Sequence, residues 1–143
     1  MHIRPYHADD QDSVVSLWGH CGLTRSWNDP RKDIARKLAV QPELFLVGSL
    51  DGVLVATVMA GYEGHRGWAN YLAVAPAHRG RGFGRALMQR VEQLLLGMGC
   101  PKINIQVRSS NAGVLAFYRA MGYAQDEAVS LGKRLIADEQ TAK

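Results

Sequence analysis

The sequence is poor in cysteine: Cys21 and Cys100 are the two among 143 residues, and neither belongs to a CxxC pair. Two isolated thiols exclude a disulfide framework and predict free cysteines in a reducing compartment. The five histidines are scattered, and His20 next to Cys21 has no partner at ligand spacing, so we expect no metal site. Glycine and proline are modest in number and no short repeat occurs, which excludes collagen-like and coiled-coil chains.

Long hydrophobic runs are also missing. The longest apolar stretch, residues 53–61, is interrupted by Thr57 and is far shorter than the ~20 residues that span a bilayer. The first residues include the charged Arg4, Asp9 and Asp10 with no apolar block behind them, unlike a signal peptide. We therefore expect a cytoplasmic protein that makes no contact with a membrane.

The size and composition are those of one globular domain, which we predict to span residues 1–143. The chain is 47% hydrophobic and 21% charged, close to average usage, and this hydrophobicity excludes a disordered chain. A chain of this length buries roughly 68–70% of its unfolded surface, enough for a core without disulfides or metals.

The net charge of +4 is unevenly distributed. Between Gly64 and Gln125 the chain has eight basic residues and a single acidic residue, Glu92, whereas the remainder has nine basic and 12 acidic residues. This segregation predicts that the C-terminal half contacts an anion. The alternative is a solvated basic face.

The hydrophobic pattern predicts an α/β (α+β) fold with the element order βααβββαβαβ. Asp51-Gly52 predicts a hairpin turn, and Asp29-Pro30 predicts a helix start that continues to about residue 40. The other helices should begin near Asp10, Phe83 and Asn111. We expect strands at residues 3–6, 44–50, 53–62, 68–74 and 102–107, with one or two more within residues 123–135.

The most informative segment, residues 74–85, leaves a strand, turns through three alternate glycines and enters a helix. Open N–H groups at a helix start suit a phosphate, and glycines allow a ligand to approach the backbone closely. Arginines add charge around the same point: Arg79, Arg81 and Arg85. Neither a dinucleotide fingerprint nor a nucleotide-triphosphatase loop fits, because Arg85 and Leu87 stand where glycine is needed and no Gly-Lys-Ser/Thr triplet exists. The alternative is a merely tight turn.

Arg79, Gly82 and Gly84 do fit the pattern Arg/Gln-x-x-Gly-x-Gly/Ala, which resembles the pyrophosphate loop of the GNAT acetyltransferases. Residues 111–123 are similar to a second segment of that family, departing from it at Val114 and Tyr123. The separation of the two motifs is also the family's, and almost the whole chain resembles the YpeA-type bacterial members.

The resemblance implies a GNAT fold: a central mixed, mostly antiparallel twisted sheet, splayed between strands 4 and 5 and flanked by about four helices. It implies acetyl-CoA as the donor, an amine as the acceptor and N-acetyltransferase activity. The pantetheine arm would pair with Leu72, Ala73 and Val74. The diphosphate would rest on the loop amides of Arg79, Gly80, Arg81, Gly82, Phe83, Gly84 and Arg85. Asn111 and Phe117 would also contact the coenzyme, although a helix cap alone explains Asn111 equally well.

Tyr118 matches the tyrosine that faces the coenzyme sulfur in the family, and a phenol with a pKa near 10 can act as an acid at neutral pH. The alternative for Tyr118 is a half-buried aromatic. Glu63 is the candidate base, with His65 close by, although surface-loop roles are the stronger interpretation for both. No serine or cysteine lies in a nucleophile motif, which favours direct transfer in a ternary complex.

Two other functions compete with this one. A catalytically silent acyl-CoA-binding sensor would keep the fold without turnover. Nucleic-acid binding ranks last and we expect none, because adjacent Lys/Arg runs with interleaved aromatics are missing. The sequence does not identify the acceptor, which the family selects through the region here at residues 19–40, and it is compatible with a monomer or a homodimer.

Overall fold

The computed structural model of the chain describes residues 1–138. They form a five-stranded sheet of order β1-β2-β3-β4-β5, in which the first four strands are antiparallel and β5 runs parallel to β4. The strands are His2–Pro5, Phe45–Leu50, Val53–Tyr62, Gly67–Val74 and Ile103–Asn104. Within the described residues the α-helices are α1 Gln11–His20, α2 Pro30–Leu38, α3 Phe83–Gly97 and α4 Ala112–Ala120. The mixed, mostly antiparallel sheet expected from the sequence is confirmed.

Local sequence signals explain several of these boundaries. The Asp29 carboxylate accepts hydrogen bonds from the backbone N–H groups of Arg31 (2.9 Å) and Lys32 (3.4 Å) and so caps α2, with Pro30 in its first turn. The β2–β3 turn places Asp51 and Gly52 at φ of 50° and 80°, the left-handed conformation that this dipeptide favours.

Helices cover both faces of the sheet. On one face α1 and α2 pack against β2 and β3, with Trp18, Ile34 and Phe45 almost fully buried. On the other face Leu87, Val91 and Leu95 of α3, spaced four residues apart, form a buried stripe against the sheet, and α4 joins the same cluster. None of the helices within residues 1–138 is long and apolar enough to cross a membrane.

A bulge and an early divergence shape β4. The β3–β4 register shifts between Thr57 and Met59, which leaves Tyr71 and Leu72 opposite Val58, and Tyr71 adopts a φ of 52°. On the other side β4 pairs with β5 only at Gly67–Ile103 and Trp68–Asn104. Beyond Trp68 the two strands part, which opens the sheet between strands 4 and 5 as the sequence predicted.

The C-terminal region differs from the prediction. The strand expected over residues 102–107 is reduced to two paired residues, and no strand forms within the described part of the tail, residues 123–138. Because β5 offers so short a ladder, the tail is instead held by side chains such as Lys102, whose Nζ lies 2.6 Å from Asp126 Oδ2. Val129 and Leu131 are consequently exposed. The last five residues of the predicted 1–143 domain lie outside the described part.

Candidate functional site

The opening between β4 and β5 exposes backbone that has no partner strand. Ala73 and Val74 pair with Thr57 and Ala56 of β3 on one side. On the other side no β5 residue within the described chain pairs with β4 beyond Trp68. The outward backbone groups of residues 72–74 therefore lack ladder partners on this side and can pair with an extended ligand, except that the Val74 carbonyl already accepts from Arg79 Nε and Cys21 Sγ. The structure thus puts Leu72, Ala73 and Val74 at the edge where the pantetheine arm was predicted.

The loop after β4 approaches this opening and then begins α3. Gly80 and Gly82 have φ of 77° and 82°, conformations that favour glycine, and Gly82 is the N-cap of α3 without a side-chain cap. The first helical hydrogen bond runs from the Ala86 N–H to the Gly82 carbonyl, at 3.0 Å. The preceding amides of residues 83–85 therefore have no intrahelical acceptor and are free for an anion.

Gly84 lets the start of α3 pack closely against β4 and α4. A Cβ built on it would lie 3.4 Å from Phe117 Cζ and 3.6 Å from Val74 Cγ2. The α3 start, the β4 end and α4 therefore meet at one point. The structure brings together the loop, strand and Phe117 residues that the sequence proposed as a coenzyme site.

Three arginines surround the loop and bond only to neutral groups. Arg79 Nε donates to the Val74 carbonyl (3.1 Å), and Arg85 donates to the Ala120 carbonyl (3.4 Å). The Arg81 guanidinium lies 5.1 Å from the centre of the Phe83 ring. Within residues 1–138 none of the three forms an ion pair. Open amides with uncompensated positive charge fit a diphosphate.

Tyr118 lies on the buried side of α4. Its side chain packs edge-to-face against Phe117 and Tyr123, with ring centres 5.0 and 5.5 Å away. It is 7% exposed, and burial raises the pKa of its phenol to about 12. The phenol therefore keeps its proton at neutral pH, and it is more deeply buried than the half-buried aromatic considered from the sequence.

Glu63 lies in the turn between β3 and β4, away from the bulge. Its Oε1 accepts hydrogen bonds from the His65 N–H (2.6 Å) and from the Arg66 N–H. These bonds lower the pKa of the carboxyl, Arg66 first and His65 second, and so make it a weaker base. Tyr71 at the bulge lies four positions after Gly67, about 13 Å along β4. The two hydrogen bonds and the distance from the bulge support the interpretation of Glu63 as a residue that stabilises the surface turn.

Asn111 shows the contact expected of a cap. Its Oδ1 accepts a hydrogen bond of 3.3 Å from the Val114 N–H, and Asn111 immediately precedes the first residue of α4. This bond supports the capping interpretation, while the side-chain nitrogen remains available to a ligand.

Sequence reasoning missed Tyr71 and its network. The Tyr71 ring stacks on Trp18 with ring centres 3.8 Å apart, and its hydroxyl donates to Asp33 Oδ2 at 2.6 Å. Trp18 Nε1 donates to Thr57 Oγ1, which in turn donates to the Tyr71 carbonyl, each at 2.9 Å. The network holds the bulge beside the opening. No pattern in the sequence predicts a positive φ at a tyrosine.

The second missed residue is Asp138, which is 4% exposed although it lies near the chain end. Its carboxylate accepts hydrogen bonds from Arg36 and from the Asp29 N–H (2.9 Å). These bonds, with Arg36 as the larger cause, lower its pKa well below the usual range. Asp138 thereby fastens the C-terminal segment to the start of α2.

Comparisons with known proteins agree with this architecture. The profile of the Acetyltransferase (GNAT) family matches residues 8–123. An acetyltransferase from Yersinia pestis (strain Pestoides F) is 51% identical over 140 residues, which cover 98% of this chain and 99% of that protein. Membership of the YpeA-type subgroup stays a prediction.

Solved structures share the fold at lower identity. Ard1 from Thermoplasma volcanium has a TM-score of 0.78 and 23% identity, covering 86% of this chain and 82% of that one. An aminoglycoside antibiotic 6′-N-acetyltransferase from Acinetobacter haemolyticus has a TM-score of 0.77 and 20% identity, covering 95% and 99%. At these identities the likeness concerns the fold alone.

Proposed function

The chain belongs to the GNAT acetyltransferase family, and from that premise we propose that it moves the acetyl group of acetyl-CoA directly to a primary amine of a small molecule, a peptide or a protein. The observation that carries the proposal is the loop of residues 79–85, where open amides and three uncompensated arginines lie beside the unpaired edge of β4. A diphosphate fits the loop, and an extended thiol arm fits the edge.

The coenzyme would lie across three elements. Its diphosphate would accept hydrogen bonds from the amides of residues 79–85, at the positive end of α3. Its pantetheine arm would pair with Leu72, Ala73 and Val74, which directs the thioester toward the bulge. Phe117 would pack against the arm where α4 meets Gly84, and Asn111 would contact the coenzyme from the start of α4.

The transfer step needs no covalent enzyme intermediate. The amine nitrogen attacks the thioester carbonyl carbon, the C–N bond forms, and the C–S bond breaks with its electron pair leaving on sulfur. The nitrogen loses a proton to water or a base, and the thiolate is finally protonated. Tyr118 would donate a hydrogen bond to the departing sulfur.

The raised pKa of Tyr118 refines that role. Complete transfer of a proton from a phenol with a pKa of about 12 to a thiolate whose parent thiol has a pKa of ~8.5 would cost roughly 5 kcal/mol of free energy. Tyr118 would therefore stabilise the leaving thiolate through a hydrogen bond, with the final proton coming from solvent.

The demand for a base depends on the acceptor. Freeing a lysine amine at pH 7 costs about 4.6 kcal/mol, and freeing an α-amine about 1.4 kcal/mol. Glu63 is the candidate base, but its lowered pKa makes it a weak base that suits an acceptor amine which is easily deprotonated. We therefore favour an α-amine deprotonated through water, and the pH dependence of kcat/KM in Glu63→Gln decides between Glu63 and water.

The direct test offers acetyl-CoA with a panel of α-amines, peptides and polyamines and measures release of the free thiol. Turnover with at least one amine supports transfer. A catalytically silent sensor would bind acetyl-CoA, with a rise in melting temperature, and release no thiol with any amine. Because the donor is acetyl-CoA and both cysteines are free, we place the reaction in the reducing cytoplasm.

A further inference from the structure

The connector between α1 and α2, residues 21–29, contacts the β4 edge of the opening between β4 and β5, because Cys21 Sγ donates to the Val74 carbonyl at 3.4 Å. It follows α1, whose Trp18 stacks on Tyr71 at the bulge. The C-terminal segment fastens it from outside, because Arg134 donates to the Trp27 carbonyl and to Asn28 Oδ1. The side chain of Trp27 itself remains 47% exposed.

The opposite side of the opening contributes Arg108, which lies four residues beyond the end of β5. Its guanidinium lies 6.0 Å from the centre of the Trp27 ring. Because Trp27 belongs to the β4 side and Arg108 to the β5 side, this contact spans the mouth of the opening on the face covered by α1 and α2. Arg108 and Arg134 therefore approach Trp27 from two different elements.

The acidic groups around this mouth already have partners. Asp33 accepts from Tyr71 and Arg36, and Asp138 accepts from Arg36 and the Asp29 N–H. Asp29 itself caps α2.

The arginines at the mouth have no such partners. Within residues 1–138, Arg108 and Arg134 form no ion pair with a carboxylate. Arg25, in the same connector, donates only to the carbonyls of Gly22 and Thr24. The mouth therefore combines guanidinium groups with an exposed indole. The charge of the Asp138 carboxylate acts on Arg134, whereas Arg108 has no carboxylate partner within residues 1–138.

We propose that the acceptor carries a carboxylate close to its reacting amine, and that Arg108 and Arg134 recognise this carboxylate beside Trp27. This inference rests on the proposed function. Guanidinium groups bind carboxylates through paired, charge-assisted hydrogen bonds, and they repel polycationic acceptors. With the carboxylate at the mouth, the amine points inward to the thioester.

The reaction itself is unchanged. The acceptor nitrogen gains the acetyl carbon and loses one proton, while coenzyme A leaves with the sulfur electrons and is protonated by solvent. The carboxylate stays ionised throughout and takes no part in bond making. Arg108 and Arg134 therefore act on acceptor binding and hardly on the chemical step.

Matched peptides test the inference because they share one α-amine. The acceptors are Ala-Asp-Ala-amide, Ala-Asn-Ala-amide and Ala-Lys-Ala-amide, with free aspartate distinguishing a small amino acid from a peptide as the source of the carboxylate. We expect kcat/KM for the Asp peptide to exceed that for the Asn peptide about tenfold, as a charged hydrogen bond allows. The Lys peptide should be the poorest, and the preference should shrink at 0.5 M salt.

Substitutions then assign the preference. Arg108→Gln should reduce the Asp-over-Asn ratio to about two or less, mainly through KM, whereas Arg108→Lys should keep a part of it. Arg134→Gln should act in the same direction, with its melting temperature measured because Arg134 also holds the connector. Arg90→Gln, at an exposed position of α3, is the matched control and should leave the ratio unchanged.

The outcomes separate three failures. Equal rates for the Asp and Asn peptides, or a preference for the Lys peptide, overturn the acidic-acceptor inference while leaving acetyl transfer intact. An Asp preference that survives Arg108→Gln and Arg134→Gln overturns the assignment to these arginines. Binding of acetyl-CoA with no thiol release for any amine overturns the proposed function and this inference with it.

Discussion

The Tyr71 hydroxyl donates a hydrogen bond of 2.6 Å to Asp33 Oδ2 and thereby links the β4 bulge to helix α2. The bond joins the strand that borders the opening between β4 and β5 to the helix that follows the connector of residues 21–29. Asp33 also accepts from Arg36, which holds Asp138 of the C-terminal segment. One polar chain therefore connects three parts of the sequence around the site.

Removing the Tyr71 hydroxyl should destabilise the fold. Tyr71→Phe keeps the stacking on Trp18 and deletes a bond to a charged acceptor, so we expect a loss of about 2 kcal/mol in the free energy of unfolding. Urea denaturation measures it. The matched control is Tyr6→Phe, because the buried Tyr6 hydroxyl has no partner within the described chain and its removal should be neutral or stabilising. Equal effects of the two substitutions would contradict the proposed bond.

The positive φ of Gly82 makes a second prediction. Gly82→Ala forces a side chain into the left-handed region at the cap of α3, at a cost of about 1–2 kcal/mol. The strain should also disturb the amides of residues 83–85 and weaken acetyl-CoA binding severalfold. Gly97→Ala, in the same helix with nothing within 4 Å of the new Cβ, should be neutral or stabilising. Calorimetric binding curves of both variants settle the point, and unaltered affinity in Gly82→Ala would count against the loop.

Asp138 predicts a pH-dependent part of the stability. Because its pKa is lowered in the folded protein, chiefly by Arg36, its contribution is full above the unfolded pKa near 4 and is lost as the pH falls toward the folded value. Asp138→Asn should therefore lower the melting temperature at pH 7. The gap in melting temperature between the variant and the wild type should narrow below about pH 4. The exposed Asp126 pairs with Lys102, and Asp126→Asn should change little at either pH. A constant gap for Asp138→Asn would refute this linkage.

Tyr118→Phe should slow turnover about 10²-fold while leaving acetyl-CoA affinity close to that of the wild type. Since burial raises the pKa of Tyr118 to about 12, the wild-type rate should not fall between pH 9 and pH 10.5 through ionisation of this phenol. Tyr123→Phe serves as the control, because the Tyr123 hydroxyl donates to Glu92 at 2.6 Å and its loss should affect stability more than kcat. A Tyr118→Phe rate within threefold of the wild type would remove Tyr118 from the mechanism.

Structural features that depend on neighbouring residues could be predicted from the sequence, whereas features that depend on residues far apart in the chain could not. Asp51-Gly52, Asp29-Pro30 and the Gly82 cap act within a few residues, so their turns and helix starts were predictable and are confirmed. The positive φ of Tyr71 depends on Trp18 and Asp33, 53 and 38 residues away in the chain, so no local pattern could reveal it.

In the C-terminal segment the error is of another kind, because strands were predicted there that do not form in the described residues. One or two strands were predicted within residues 123–135, but pairing requires a partner edge, and β5 supplies two residues. The ion pair between the exposed Arg36 and the buried Asp138 spans 102 residues, and no spacing in the sequence could reveal it. Glu63 was singled out for its place after the third strand, whereas its hydrogen bonds within the turn could be read only from the folded backbone.

The central claim, that the amides and arginines of residues 79–85 hold the diphosphate of acetyl-CoA, is tested most directly by calorimetric titration with acetyl-CoA and with S-acetylpantetheine, which lacks the nucleotide and its phosphates. Both ligands offer the same thioester arm to β4, so their difference reports the contribution of the nucleotide and its phosphates, which includes the contacts of the diphosphate with the loop. We expect acetyl-CoA to bind at least about 100-fold more tightly, since two charge-assisted hydrogen bonds suffice for that ratio. Equal dissociation constants for the two ligands would contradict the account.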